Sequence, residues 1–460
     1  MEINKIIEIN NNNNNNNNKI IENNNDNKKI IEINNNNNDN NKIIEINDNN
    51  NNNIKDKILK KENKDSILMK PPPIFITPAN KDDTITVFHQ GHIISIPRKL
   101  KINLKSITDC GPDGVMFRAK NEDSKEEVIV KKISVFLMKD DKMARKLLRN
   151  LLFQRHFQQH PLVSTFQSVF KRKSSENYLI SNKNNRNNVR LPLLQQKGDD
   201  DIYFEYLLPE FTLLQMIHNK LLTEYNIMIF LYQLLTVVKF MHSAGVIHRD
   251  IDPSAITIDQ NQCLKLTEFY FCFPSNCPVD LFFNDYDTSS FIYRAPETIW
   301  RNTTYTTAID VWNIGVIFGE MILGKRLFKT QDFEDHLISI SKLIGNPTAE
   351  DLSIVLSKSI FQYMEKIPKS TLTPSVGIKR RFKGASKDQI ELLQGMLCWD
   401  PRKRMTIDQL LAHKYFSTIH DESMQIKCNE IFNLKYYPDF YKMKSDLVKK
   451  SIENEFLTPC

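Results

Sequence analysis

Apolar positions recur along this chain with two different periods, and the period changes partway through. Residues 104–107, 115–119 and 128–133 are short runs dense in β-branched and large apolar side chains, which predicts three strands joined by turns. Over residues 142–157 the spacing of Leu147, Leu148, Leu151 and Leu152 puts them on one face at the 3.6-residue repeat, predicting a helix. A further strand is expected over 201–207, and after Pro209 the helical period dominates, with helices expected over 224–243, 307–323, 333–343 and 387–397. The pattern predicts an α+β protein with a small strand-rich lobe followed by a larger helical one.

Two stretches follow neither period. Nearly half of the first sixty residues are Asn, interrupted by a Lys-Ile-Ile-Glu phrase beginning at Lys5, Lys19, Lys29 and Lys42. Each phrase is too short to bury a core, so residues 1–80 are expected to be a disordered Asn-rich low-complexity tail, with Pro71, Pro72 and Pro73 as a stiff exit from it. Residues 171–200 are polar and Asn-rich as well, and read as a surface insert between two strands.

Composition excludes several function classes. Sixty-two basic against fifty-five acidic residues give a formal charge of only +7 without a long basic run, so no nucleic-acid partner is expected. The longest apolar stretch, 311–324, is broken by Asn313 and Glu320 and falls short of the ~20 residues of a bilayer span, so no membrane partner is expected either. The N-terminus lacks a signal-peptide progression, and seven cysteines without a Cys-x-x-Cys pair suit a reducing compartment. The expected location is intracellular, cytoplasmic and extending to the nucleus if the run Lys379 to Lys383 is a targeting patch; the blander reading of that run is a solvated loop between two helices.

A set of chemistry-bearing residues then appears in fixed order. Gly111-Pro112-Asp113-Gly114 forms a turn between strands, Val128-Ile129-Val130-Lys131 ends the third strand on a lysine, and His248-Arg249-Asp250, Glu268-Phe269-Tyr270, Tyr293-Arg294-Ala295-Pro296-Glu297, Asp310-Val311-Trp312 and Arg404 follow. This ordered set resembles the eukaryotic protein kinases over roughly residues 93–416. Within them it is most similar to the mitogen-activated protein kinases, through Phe230 to Leu235 leading to Met241-His242-Ser243-Ala244, Leu343-Ile344-Gly345-Asn346-Pro347, and Leu411-Ala412-His413. The resemblance implies a bilobal kinase fold: N-lobe 81–207, C-lobe 208–416, and a 417–460 extension packing back on the core.

The resemblance assigns Lys131 to the nucleotide's α/β-phosphates and Asp250 to the attacking hydroxyl, and it places Ile107, Gly111, Gly114 and Met116 around the nucleotide and Glu268 on the metal. Around these, the family's pattern is altered. The helix glutamate that should hold Lys131 falls at Asn150, or at Arg149 one register away; the metal-binding amide is Ala255, and the catalytic-loop lysine is Asp252. At an effective dielectric of ~20 and ~4 Å, reversing that last charge beside a phosphate is unfavourable by on the order of 4 kcal/mol. Glu268 and Tyr270 stand for the Asp and Gly of Asp-Phe-Gly, Asp109 for a loop glycine, and Ile129 for the alanine roofing the adenine pocket. The structural positions are kept: Glu297 with Arg404, Asp310 with Trp312, and His248 against Phe269.

Regulatory positions differ too. Asp285-Tyr286-Asp287 stands where the family is doubly phosphorylated, and the hypothesis is that the two carboxylates mimic phosphates by pairing with Arg249 or a neighbouring base. Phe291 replaces the basic residue of the proline-directed pocket, and Asp421 and Glu422 lie where the family has an acidic docking patch. The expectation is an inactive kinase homologue, a pseudokinase, binding protein partners of a kinase signalling pathway, with Lys131 and Asp250 as catalytic vestiges and neither ATP nor magnesium required. The alternative is a weakly active serine/threonine kinase transferring the ATP γ-phosphate with Lys131, Asp250 and Glu268; a third reading has nucleotide bound without metal.

Overall fold

A computed structural model describes residues 7–10, 17–24, 27–34, 75–77, 84–89, 92–109, 114–133, 140–173, 200–275, 291–300, 305–330, 332–355, 358–367, 373–432 and 440–457. The chain divides into two compact units, Met1–Ser66 and Ile67–Cys460.

In the first unit, strands Ile7–Asn10, Asn17–Asn24 and Asn27–Asn34 form an antiparallel sheet where composition predicts disorder. The register sets Ile20 opposite Ile31, Ile21 opposite Ile30, Lys19 opposite Glu32 and Glu22 opposite Lys29.

In the second unit, strands Phe75–Thr77, Leu100–Ile102, Thr108–Asp109, Val115–Asn121, Glu127–Lys132, Phe166–Lys173 and Asp200–Leu207 form one sheet. The expected strand over 104–107 is absent. Leu104–Ser106 is a 3-10 turn, closed by the Ser106 hydroxyl donating to the Asn103 carbonyl at 2.6 Å and accepting the Arg118 N–H at 2.7 Å. Local side-chain bonds there displace the ladder that the apolar pattern favoured. The strand ending at Lys173 takes up the first residues of the expected insert, whose remaining residues 174–199 lie outside those described.

Helix Asp141–Phe157 packs on this sheet, its first turn capped by Asp140, whose Oδ1 accepts from Lys142 N at 2.8 Å. Leu147, Leu148, Leu151 and Leu152 are buried as predicted, beside Phe166, Val169 and Phe204. Helix Ser445–Phe456 covers the same cluster with Val448, Ile452 and Phe456. Polar contacts fasten it: Arg145 Nη1 donates to Met443 O at 2.8 Å, and Lys171 and Arg155 pair with Glu453 and Glu455 at 2.9 and 2.6 Å.

The helical lobe has one continuous core around helices Glu224–Ser243 and Ala308–Leu323. The first opens on a capping box between Thr223 and Asn226; the second ends at Gly324, whose left-handed φ of 61° lets its N–H reach Glu320 O at 2.8 Å. Phe333–Ile344 and Lys387–Met396 also form where the helical period predicts. Two antiparallel strands, Ile256–Ile258 and Leu264–Leu266, carry the segment that follows Asp250 toward Glu268.

Candidate functional site

The cleft side of the sheet is built on strand Glu127–Lys132, where the pleat alternates buried Val128 and Val130 with partly buried Ile129 and Lys131. Lys131 faces Met116 on the neighbouring strand. Its ammonium donates to the Tyr270 hydroxyl at 2.6 Å and lies 5.2 Å from that ring's centre. Tyr270 is buried, so a phenol oxygen supplies the contact that the resemblance assigns to a helix carboxylate.

Helix Asp141–Phe157 faces the same segment with three polar side chains. Arg149 Nη1 donates to the Tyr270 carbonyl at 3.0 Å, Asn150 Oδ1 accepts the Phe269 N–H at 2.7 Å, and Gln154 Nε2 donates to the Thr267 carbonyl at 2.9 Å. Tyr206 closes the row by donating to Gln154 Oε1 at 3.3 Å, and its burial pushes the phenol pKa up. Lys146 stacks over the Phe271 ring at 4.6 Å. The helix thus grips residues 267–271 through neutral and cationic groups and places no carboxylate there. Tyr206, Gln154 and the gained Tyr270 hydroxyl are what sequence reasoning missed; an Arg-Asn pair at the acidic position was the available signal.

The loop carrying Asp250 is held from beneath. Asp310, fully buried, accepts the backbone N–H of His248 at 2.9 Å and of Arg249 at 2.7 Å, and its Oδ2 lies 2.8 Å from His242 Nε2. Burial pushes this carboxyl up, but the His242 bond and the charge and N–H of His248 outweigh it and hold it below the usual range. These bonds keep Arg249 at a φ of 72°, a left-handed conformation that is costly for any residue with a Cβ. The Arg249 guanidinium lies between the rings of Phe273 and Tyr305, at 5.5 and 5.1 Å. His248 packs on Phe269 with ring centres 5.6 Å apart, and its burial lowers the imidazole pKa.

The remaining predicted residues separate into groups. Asp250 is partly buried and Glu268 exposed, so two carboxylates border the cleft. Asp252 turns onto its own loop, accepting from Ser254 N at 2.6 Å. Ala255 offers only its carbonyl, which already accepts the N–H and hydroxyl of Thr267 at 3.1 and 3.0 Å. Magnesium therefore finds no side-chain amide oxygen at that position. Ile107 and Gly114 are described and buried; Gly111 and Asp285 to Asp287 lie outside the described residues. Phe291 packs on Phe333 and His336, with ring centres 5.3 and 5.9 Å apart. Asp421 is exposed, and its carboxylate accepts from Ser423 Oγ and N at 2.6 and 2.8 Å, which lowers its pKa. Glu297 and Arg404 form the buried two-pronged pair at 2.7 and 2.6 Å, with the guanidinium 5.1 Å from the Trp312 ring.

With this arrangement in place, comparison with known proteins identifies the class. The protein kinase domain family matches residues 110–416, and the chain belongs to that family. Among its relatives, a "probable serine/threonine-protein kinase kinase" of Dictyostelium discoideum is 42% identical over 85% of this chain and 91% of its own length. A "probable inactive serine/threonine-protein kinase" of the same organism is 40% identical over 86% and 97%. Mitogen-activated protein kinase 4 of Arabidopsis thaliana is 31% identical over 75% and 84%. The kinase fold and the likeness to mitogen-activated protein kinases thus stand as read from the motifs. Among the described residues, no helix is long and apolar enough to cross a membrane.

Proposed function

We propose that this chain is a non-catalytic member of its family, a binding or scaffold component of phosphorylation signalling rather than a phosphotransferase. The observation that carries this reading is the Lys131–Tyr270 contact at 2.6 Å. Phosphoryl transfer needs the strand lysine held by a helix carboxylate and free to grip phosphates, with metal ligands in place on the loop below. Here the lysine is engaged by a phenol whose own carbonyl accepts from Arg149, next to Phe269, whose N–H donates to Asn150, and the amide position is Ala255. In this reading Lys131, Asp250 and Glu268 are residual family groups. Any nucleotide bordered by Ile107, Gly111, Gly114 and Met116 is dispensable to the fold. The 40% identity to a relative described as inactive supports the same reading.

The test is thermal melting of the full chain with millimolar ATP, alone and with magnesium or manganese, followed by a phosphotransfer assay. A bound nucleotide at a hundred times its Kd raises stability by about 2.7 kcal/mol. The expected result is no metal-dependent rise and no transfer by the natural chain or by Glu268→Asp. A rise that requires metal, with transfer increased by Glu268→Asp and abolished by Glu268→Ala, overturns the proposal in favour of an active kinase.

A further inference from the structure

The helical lobe has a second concavity, built from elements that contribute nothing to the cleft. A cavity of about 540 Å³ lies between the segment after helix Ala308–Leu323, the outer face of helix Phe333–Ile344, and helix Pro374–Arg381. Four cationic side chains line it, Lys329, Lys342, Arg380 and Arg381, and among the described residues no carboxylate joins the wall. Among the described residues, Lys329, Lys342 and Arg380 have no ion-pair partner, whereas Lys239, Lys403 and Lys414 of the same lobe each pair with an Asp or Glu. A concave wall of one charge sign focuses its field inward, so an anion entering it meets several donors together.

The walls are fixed by backbone contact. A Cβ placed on Gly377 would lie 2.0 Å from the Leu343 carbonyl oxygen, so helix Pro374–Arg381 seats directly on the neighbouring helix at a point where no other residue fits. Arg381 Nη2 donates to Leu327 O at 3.5 Å, and Trp399 Nε1 holds the end of helix Phe333–Ile344 through Gly345 O at 2.8 Å. The floor is apolar, with Leu327, Phe328 and Leu343, and Ser339 adds one hydroxyl.

We propose that this cavity receives a phosphorylated side chain of a protein partner. A phosphomonoester carries about two negative charges and three strong acceptors, which Arg and Lys groups satisfy with charge-assisted hydrogen bonds. Its aliphatic or aromatic stem would lie against the apolar floor. A half-open cavity of this size suits one inserted side chain; a nucleic-acid backbone needs an extended basic track, and a bilayer a flat or protruding surface. The inference gives the non-catalytic reading a partner class, yet rests on different elements, so either can fail alone.

The test uses the full chain against an array of phosphoserine, phosphothreonine and phosphotyrosine peptides and their unphosphorylated copies, with inorganic phosphate as competitor. Lys342→Glu with Arg380→Glu reverses two exposed charges, and an unchanged melting temperature shows that the fold survives. Selection of phosphorylated peptides, competed by phosphate and weakened tenfold or more in the double variant, is the expected result. Equal capture of unphosphorylated copies, full binding by the double variant, or retention only on vesicles containing phosphatidylinositol phosphates each overturns it. The ATP melting experiment is untouched by these outcomes.

Discussion

The cleft and the helical-lobe framework occupy one kinase domain but treat the family's pattern oppositely. In the framework, Glu297, Asp310, Trp312 and Arg404 keep both residue type and partner: the carboxylate and guanidinium meet at 2.6 and 2.7 Å, and Asp310 carries the Asp250 loop through two backbone N–H groups. In the cleft, where the resemblance places a helix carboxylate, an amide and a glycine, the chain has Asn150, Ala255 and Tyr270, and the hydrogen bonds run to these residues instead. There Asn150 accepts the Phe269 N–H, Gln154 donates to Thr267 O and Lys131 donates to a phenol. The contrast teaches that the framework stabilises the domain whether or not the cleft performs chemistry.

The largest effect that could break this contrast is expected at the framework. Both members of the Glu297–Arg404 pair are almost fully buried, so Glu297→Gln leaves a guanidinium without its counter-charge. Removing one partner of such a pair costs about 3–5 kcal/mol, whereas replacing both by apolar residues recovers much of it. Denaturant melts should show a loss of that size for Glu297→Gln and a smaller one for Glu297→Met with Arg404→Met. A Glu297→Gln loss under about 1 kcal/mol would put framework and cleft on equal terms.

A second effect sharpens the comparison through pH. Glu320 is buried in the framework; its Oε2 accepts the Tyr293 hydroxyl at 3.0 Å and its Oε1 the Leu327 N–H at 3.0 Å. Burial raises its pKa from 4.5 to about 7 against the pull of those bonds and of Arg326. A raised carboxyl pKa means that the folded state holds a proton the unfolded chain has released, so its stabilisation is complete below the unfolded value. It is lost as pH rises through about 7. Across that window the loss is on the order of 3 kcal/mol. His160 and His336 oppose this slope, since burial lowers both to about 4 and stability then rises with pH between about 4 and 6.5. The difference between Glu320→Gln and the natural chain isolates the carboxyl: the variant's advantage in melting temperature should grow from pH 5 to pH 7.5. A constant difference across that range would mean that Glu320 ionises normally.

How much of this was legible in the sequence depends on where each function sits. Residues whose role is tied to a motif and a fixed partner, Glu297, Asp310 and Arg404, are readable from order along the chain. So is the helical period that places Leu147 and Leu151 in the core. Tyr270 was legible only as a lost glycine, because a hydroxyl's partner lies 139 residues away and no local pattern reports it. The run Lys379 to Lys383 reads as a loop, yet its first three residues close helix Pro374–Arg381; Pro374 at the helix start is the signal that outranks the polar composition. The basic cavity was invisible because its cations come from three separated segments.

The smallest effect tests the cleft itself. Tyr270→Phe removes only the oxygen that accepts from Lys131 and leaves the ring, the Arg149 bond to its carbonyl and the buried volume in place. A hydrogen bond to a charged group contributes about 1.5–3 kcal/mol, but Lys131 is partly exposed and water takes up much of the loss, so about 1 kcal/mol is expected. That is a third or less of the Glu297→Gln loss, as a rewired cleft on an intact framework requires. The same variant removes the phenol partner of the ammonium, and melting with ATP then discriminates between two causes of the proposed exclusion of nucleotide. If Tyr270→Phe gains an ATP-dependent rise that the natural chain lacks, the phenol contact is what closes the site to phosphate. If it gains none, the closure lies with Ile129 and the acidic residues at Asp109 and Asp252, and Tyr270 serves the fold alone.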